Sequence, residues 1–353
     1  MARMVIKVGS NLLVNQRGVR KSYLIELVSK INKLLDGGHE VALVTSGAGA
    51  SGKTYLGLDK STNNLISKQA LCAVGQVQLM NVYQNAFDFY QRKIAQILLT
   101  KDDFSDHKRY LNLRNTLIGL KGLGIVPIIN ENDTVAVDEI KFGDNDTLSA
   151  MFSICWSAEY LILMTSVDGV IDESGNLIKE YVQGAKIASI EGTTFGTGGI
   201  TSKISAALMA AESGVEAYII NGNDMNNIDL VCSSQNPGTK FSPSIQKKLS
   251  SRKSWLKYLS KSKGNLHINE GAYEALKKRK SLLPVGIVSV DGQFEKGDSV
   301  NVVFNRSIVA KGIVNYSSQE VKRIMGLKSS EIPEELFTYE EVIHADNIII
   351  GGR

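Results

Sequence analysis

An α/β fold is predicted by this sequence: a mostly parallel sheet sandwiched by helices, followed by a small β-rich C-terminal domain. Three observations carry the prediction. Short, almost wholly apolar runs alternate with helical patterns up to about residue 230, and strands read that way when helices cover both faces of a parallel sheet. Near residue 233 the character changes, because Ser233–Ser244 holds two of the five prolines beside Gly, Asn and Ser, a linker composition. From Gly264 onward, short apolar runs are separated by turns such as Asp291-Gly292 and Lys296-Gly297-Asp298. A chain of 353 residues is long enough for two domains and a sizeable core.

The elements follow in order. Met4–Val8, Val41–Thr45, Ile94–Leu99, Ile125–Ile129, Tyr160–Thr165 and Ala217–Ile220 have the length and apolar content of buried strands. Between them Tyr23–Leu35, Ser67–Tyr90, Arg109–Leu123, Thr147–Ser157 and Thr201–Ser213 read as helices. Gly37-Gly38 and Gly124 supply C-terminal stops for two of these. Val135–Lys141 reads as an excursion, a hairpin, ahead of Gly143-Asp144-Asn145-Asp146. Ile245–Lys263 carries seven Lys/Arg and no acid, which reads as a solvated linker or helix face. Beyond it, Val285–Val290, Ser299–Phe304 and Ile308–Tyr316 are expected as strands, with Glu270–Lys280 and Ser318–Met325 as helical pieces. The division expected is 1–244, a basic linker 245–263, and 264–353.

Composition excludes several classes of protein. Hydrophobic residues at 43% and charged residues at 22% are ordinary for a soluble globular chain. A net charge of +4 is too small to argue for nucleic acid by itself. Cys72, Cys155 and Cys232 are odd in number, far apart and set in apolar segments, as expected of reduced, structural thiols in the cytosol. The N-terminus enters a strand-like run without a signal peptide's apolar region, and no apolar stretch has membrane-helix length. A cytoplasmic protein is expected. His39, His107, His267 and His344 are scattered and make no metal spacing, so no protein-built metal site is expected.

The chemistry gathers at strand ends, where ligands of such sheets sit. Lys7-Val8-Gly9-Ser10-Asn11 puts a cation, a glycine turn and a hydroxyl after the first strand, a plausible phosphate cradle that is not the ordinary P-loop pattern. Thr45-Ser46-Gly47-Ala48-Gly49-Ala50-Ser51-Gly52 is a run of small residues with room for a ligand against the backbone, Ser46 and the N–H groups acting as donors. Asn130-Glu131-Asn132-Asp133 and Gly143–Asp146 gather amides and carboxylates after the Ile125–Ile129 run; turn chemistry is the competing explanation. Gly196-Thr197-Gly198-Gly199-Ile200-Thr201-Ser202-Lys203 feeds a helix N-terminus, a natural anion site. There Lys203 conflicts with the helix dipole, a conflict an anionic ligand would resolve. Cationic clamps, glycine loops, organising acids and no covalent nucleophile make an inventory for phosphoryl transfer.

These residues resemble the amino acid kinase family, and within it the branch acting on the L-glutamate side chain. Val5–Ser10, Val44–Ala48, Ile129–Asp133, Gly143–Ala150 and Thr197–Lys203 carry the resemblance, with Lys68-Gln69-Ala70 and Ala73-Val74-Gly75-Gln76. From about Gly264 the chain looks like a PUA domain, on Asn269–Ala272 and Ser281–Ile287. The resemblance thus implies an amino acid kinase-like sheet plus a PUA-like domain. It implies ATP-dependent phosphorylation of the glutamate side-chain carboxylate to L-glutamyl 5-phosphate, the first step of proline synthesis, with Mg²⁺ on the nucleotide phosphates. Lys7 and Lys203 would stabilise the moving phosphoryl group, and Asp146 would hold them. Ser46, Asp133 and Asn145 would bind glutamate, Asp133 at its α-ammonium. Gly9, Ser10 and Gly47 would shape the loops around the phosphates. Thr165, Ser166 and Thr197, Gly198, Gly199, Ile200, Thr201, Ser202 and Lys203 would line the ATP site. Thr165-Ser166 departs from the family's usual Thr-Asp, so a carboxylate near the nucleotide is missing. Feedback inhibition by proline and a homodimer or homotetramer are also implied.

Two rival readings stand beside this one. Acetylglutamate, aspartate, carbamate or UMP kinases share the fold, but the Asn130–Asp133 and Gly143–Ala150 signatures and the PUA-like tail argue against each. RNA binding through the C-terminal domain and the basic Ile245–Lys263 run is the other, opposed by the lack of clustered aromatics and by the acids among the last 25 residues.

Overall fold

Seven strands make the first sheet, in the order Ile94–Leu99, Val126–Glu131, Glu40–Val44, Arg3–Val8, Tyr160–Thr165, Glu216–Asn221 and Thr239–Phe241. Neighbours are parallel except for the last pair. The computed structural model describes residues 1–58, 64–136, 145–182, 184–185, 187, 199–243, 251–336 and 338–351. The expected excursion from residue 137 onward, Gly143, Asp144, Thr197 and Gly198 lie outside them.

The central strand explains how the sheet is used. Met4, Ile6 and Val8 join one buried cluster with Tyr23, Leu24, Leu27, Val28, Ile31 and Leu34 of the Lys21–Asp36 helix. Leu79, Tyr83, Ala86 and Phe87 of the Leu65–Asp88 helix complete that side. Alternation along the strand then turns Val5 and Lys7 to the other face, where the Asn145–Trp156 helix supplies the cover. The same rule that builds the core thus delivers Lys7 to the opposite side.

The expected helices form at Lys21–Asp36, Leu65–Asp88, His107–Gly122, Asn145–Trp156 and Ile200–Glu212. Gly38 and Gly124 take φ of 80° and 66°, as helix stops require. Three features of this part escaped the sequence reading. Thr239–Phe241 pairs antiparallel at the sheet edge inside the segment read as linker, too short a strand to stand out beside Pro237-Gly238. Val14–Asn15 and Gly18–Val19 form a small hairpin. The small-residue run after Ser46 is already helical from Ala48, in a helix Ala48–Tyr55 that the sequence does not single out.

The chain divides into two compact units, Met1–Asp103 with Asn112–Lys248, and Phe104–Leu111 with Leu249–Arg353. In the second, a mixed five-stranded sheet runs Ile287–Gly292, Gly264–Ile268, Ser299–Phe304, Ser307–Ile313 and Ile348–Ile350. Leu266, Val290, Val300, Val302, Ala310 and Ile348 face its core, and the register row Asp291–Asn265–Asn301–Lys311–Ile349 lies on the other face. Residues of the basic run are less solvated than their charge suggests. Trp255, Leu256 and Leu259 are buried, and Trp255 Nε1 donates to Phe104 O at 2.8 Å. The rings of His107 and Tyr110 lie tilted against the same indole, which draws Phe104–Leu111 into this unit.

Candidate active site

Three elements converge on one carboxylate. Lys7 is the last residue but one of the central strand, Asp146 stands in the first turn of the Asn145–Trp156 helix, and Lys203 in the first turn of the Ile200–Glu212 helix. Asp146 is 0% exposed, and Lys7 and Lys203 are 5% and 9%. Lys7 Nζ pairs with Asp146 Oδ1. Lys203 Nζ reaches Oδ2 at 3.0 Å, and Ser202 Oγ lies 3.3 Å from the same oxygen while donating to Gly199 O at 3.0 Å. Taken by themselves, these two buried ammonium groups and one buried carboxylate sum to one positive charge. Such a cluster attracts an anion, and fields there are stronger than in water.

This geometry corrects one inference from the sequence. Lys203 sits at the unfavourable end of its helix dipole, but Asp146 supplies the compensating negative charge from within the fold. No ligand is needed to explain its position. Asp146 itself gains from standing at a helix N-terminus. Around them, Gly9 is extended and its N–H donates to Met164 O at 3.3 Å; Ser10 opens the short Ser10–Leu13 helix. Thr165 closes its strand and accepts from Gly222 N–H at 2.8 Å, while Ser166 beyond it is exposed. Gly199 begins the Ile200–Glu212 helix in extended conformation, with no atom within 4 Å of a Cβ built there. Ile200 and Ser202 are half-buried and Thr201 exposed.

A second group lies beside the first. Asn145 Nδ2 donates to Thr45 O at 2.5 Å and to Asn130 Oδ1 at 2.8 Å. Asn130 Nδ2 in turn donates to Gln76 Oε1 at 2.7 Å. Ser46 Oγ donates to Val8 O at 2.8 Å, tying the two glycine loops together. Its proton is therefore committed, and toward a ligand Ser46 is an acceptor, not the donor expected. Asp133 stands in the turn after the Val126–Glu131 strand, near Cys72 of the Leu65–Asp88 helix. Burial lifts its carboxyl above the ordinary aspartate range, partly offset by a hydrogen bond from Cys72. Burial, then the Asp133 charge, pushes the Cys72 thiol up to about 12. That thiol is an unreactive proton donor to Asp133, placed in the site where the sequence suggested only core packing.

The small-residue run after Thr45 divides by role. Gly47 takes φ of 90°, and a Cβ there would lie 2.8 Å from Val14 Cγ2. Gly52 and Gly75 instead let two helices touch, since their Cβ atoms would fall 2.0 Å from Leu71 O and 1.8 Å from Ala48 O. Close packing, not ligand room, accounts for those two.

Among the described residues no group of three or more His, Cys, Asp or Glu could hold a metal ion. Both Asp146 oxygens face ammonium groups, so a magnesium ion brought on nucleotide phosphates fits these residues better than one bound by the chain. No described helix is long and apolar enough to cross a membrane.

The amino acid kinase family matches residues 2–221 and the PUA domain residues 264–336. Glutamate 5-kinase of Thermotoga maritima is 54% identical over 325 residues, 92% of each chain. Glutamate 5-kinase of Kosmotoga olearia is 49% identical over 99% of each chain. That of Thermoanaerobacter sp. is 44% identical, covering 99% of this chain and 98% of its own.

Proposed function

This chain belongs to the amino acid kinase family, among its glutamate 5-kinases, and we propose that its Lys7–Asp146–Lys203 cluster is the clamp of the phosphoryl transfer. The reaction phosphorylates the side-chain carboxylate of L-glutamate at the expense of ATP, giving L-glutamyl 5-phosphate at the start of proline biosynthesis. A carboxylate oxygen attacks the γ-phosphorus as the bond to the β-bridging oxygen breaks, and ADP leaves with that electron pair. Charge spreads over the transferred group, and two ammonium groups held in advance by Asp146 stabilise it without reorganising. The burial of Asp146 between lysines from two different elements is the observation that carries this reading.

The other residues divide accordingly. Gly9, Ser10, Thr165, Ser166 and the loop from Thr197 through Ser202 line the nucleotide. Mg²⁺, carried on the phosphates, screens their charge. Ser46, Asn145 and Asp133 take the amino acid, the first two as acceptors and the third as a carboxylate for the α-ammonium. The missing carboxylate at Ser166 adjusts nucleotide contacts and leaves catalysis in place. We assign catalysis to residues 1–244 and place the protein in the cytoplasm as a homodimer or homotetramer with proline as feedback inhibitor.

Trapping the acyl phosphate with hydroxylamine tests the reading. L-Glutamate, ATP and Mg²⁺ should give the hydroxamate, with aspartate and N-acetylglutamate far behind. Hydroxamate from N-acetylglutamate in preference to glutamate would sink it.

A further inference from the structure

The amide groups behind the amino-acid site have a fixed direction, set by the backbone at both ends. Thr45 O can only accept, and it takes a hydrogen bond from Asn145 Nδ2 at 2.5 Å. Glu131 N–H can only donate, and it gives one to Asn130 Oδ1 at 2.9 Å. Asn130 Oδ1 therefore also receives Asn145 Nδ2 at 2.8 Å, and Asn130 Nδ2 turns to Gln76 Oε1 at 2.7 Å. Both N–H donors of Asn145 are then engaged, so a ligand can meet only its Oδ1.

Gln76 has a peculiar place in this relay. It is 9% exposed, and its Nε2 is a buried donor with no hydrogen-bond partner among the described residues. An unmade bond of that kind is destabilising, so stability alone does not select glutamine here; an apolar chain of the same length would fill the space. What Gln76 supplies is Oε1, the acceptor that holds the far side of Asn130. Without it, Asn130 is anchored through Oδ1 alone, by its neighbour's N–H and by Asn145.

We propose that Gln76 is a positioning residue for the amino-acid substrate, locking the Asn130–Asn145 relay so that Asn145 presents Oδ1 to the α-ammonium of glutamate. The proposal rests on the functional reading above, and deepens it by naming what sets the polarity of the ammonium subsite. A donor-bearing group is accepted there, and an acceptor is refused.

Steady-state kinetics of two variants, alongside thermal unfolding, test it. Gln76→Met removes the acceptor at equal length, and should raise the KM for glutamate by about tenfold, the loss of roughly one hydrogen bond to a charged group. Its kcat, its KM for ATP and its Tm should stay close to the parent's, because one orphan donor is exchanged for another. Gln76→Glu keeps an acceptor toward Asn130 and should recover most of the glutamate affinity. An unchanged glutamate KM in Gln76→Met would overturn the proposal. So would a parallel fall in kcat, ATP affinity and Tm, which a merely structural role produces. Gln76→Glu decides the matter if the methionine variant does not fold: folded enzyme with a glutamate KM raised tenfold or so would also overturn it. The parent enzyme's own turnover of L-glutamate is the baseline, and its absence would strike the functional reading instead.

Discussion

Lysines leave water in both units of this chain, and their surroundings differ. In the N-terminal unit Lys7 and Lys203 meet the two oxygens of Asp146. In the C-terminal unit Lys311 lies on the non-core face of its sheet and donates to the carbonyl of Ser260. Partial burial lowers the half-buried Lys311 ammonium to about 8, with no carboxylate among the described residues acting against it. A buried cation beside a carboxylate is held for use, whereas a half-buried one beside a carbonyl only strains the unit that holds it. The difference separates a site from a structural compromise, although both are lysines withdrawn from solvent.

Turning the first setting into the second gives the largest effect. Asp146→Asn leaves two buried ammonium groups without their carboxylate, and removing one partner of a buried ion pair costs about 3–5 kcal/mol. A fall of that size in unfolding free energy, measured by denaturant titration, is expected together with a kcat loss of about a thousandfold. A variant that keeps its stability would mean that water already screens the cluster.

Asp133 is the converse case, a carboxylate whose close neighbour is a thiol rather than an ammonium. Its raised pKa means that the glutamate KM should climb as pH falls, starting above the ordinary aspartate range. An α-ammonium held there would pair with the ionised form, so that at a pH below the raised pKa its binding would displace the proton of Asp133. Asp133→Asn should flatten that profile and raise the KM at neutral pH by about tenfold or more. A KM in the parent enzyme that does not change between pH 7 and the ordinary aspartate range would break the parallel.

The smallest effect comes from Lys311→Met, and it has the opposite sign. The folded pKa, about 8, lies below the ordinary 10.5. Between these values the unfolded chain binds more protons than the folded one, so stability rises with pH. The penalty is full below about 8 and gone above 10.5. Removing the ammonium should therefore raise the C-terminal unit's Tm at neutral pH by about 4 °C. Calorimetry at high pH should show the gain disappear.

Much of this arrangement is legible in the residues themselves, for identifiable reasons. The strands of the first sheet are apolar on both faces, and their period places Lys7 beside a glycine turn at a strand end. The conflict between Lys203 and its helix dipole points to a negative charge nearby. That the charge is Asp146 could not be read by this physics alone, because Asp and Asn in Gly143–Asp146 equally suit a turn. Gln76 and Tyr83 were hidden differently. Their helix carries no clean apolar stripe, so polar side chains pointing at the strand ends look like surface. Tyr83 Oη meets Thr45 Oγ1 at 2.9 Å inside the site's wall, a contact no local pattern announces. The glycines after Ser46 look alike in sequence, yet Gly47 serves a left-handed turn and Gly52 a helix contact. Trp255, Leu256 and Leu259 were obscured by the lysines around them, though their spacing is that of a helix face.

The clamp requires that Lys7, Asp146 and Lys203 act as one unit. The rate of hydroxamate formation from L-glutamate and ATP, compared for Asp146→Asn, Lys203→Ala and the double variant, measures this directly. Groups that work as a unit are non-additive. The double variant should therefore be no slower than the worse single one. Losses that multiply, or an Asp146→Asn enzyme within about tenfold of the parent, would contradict it.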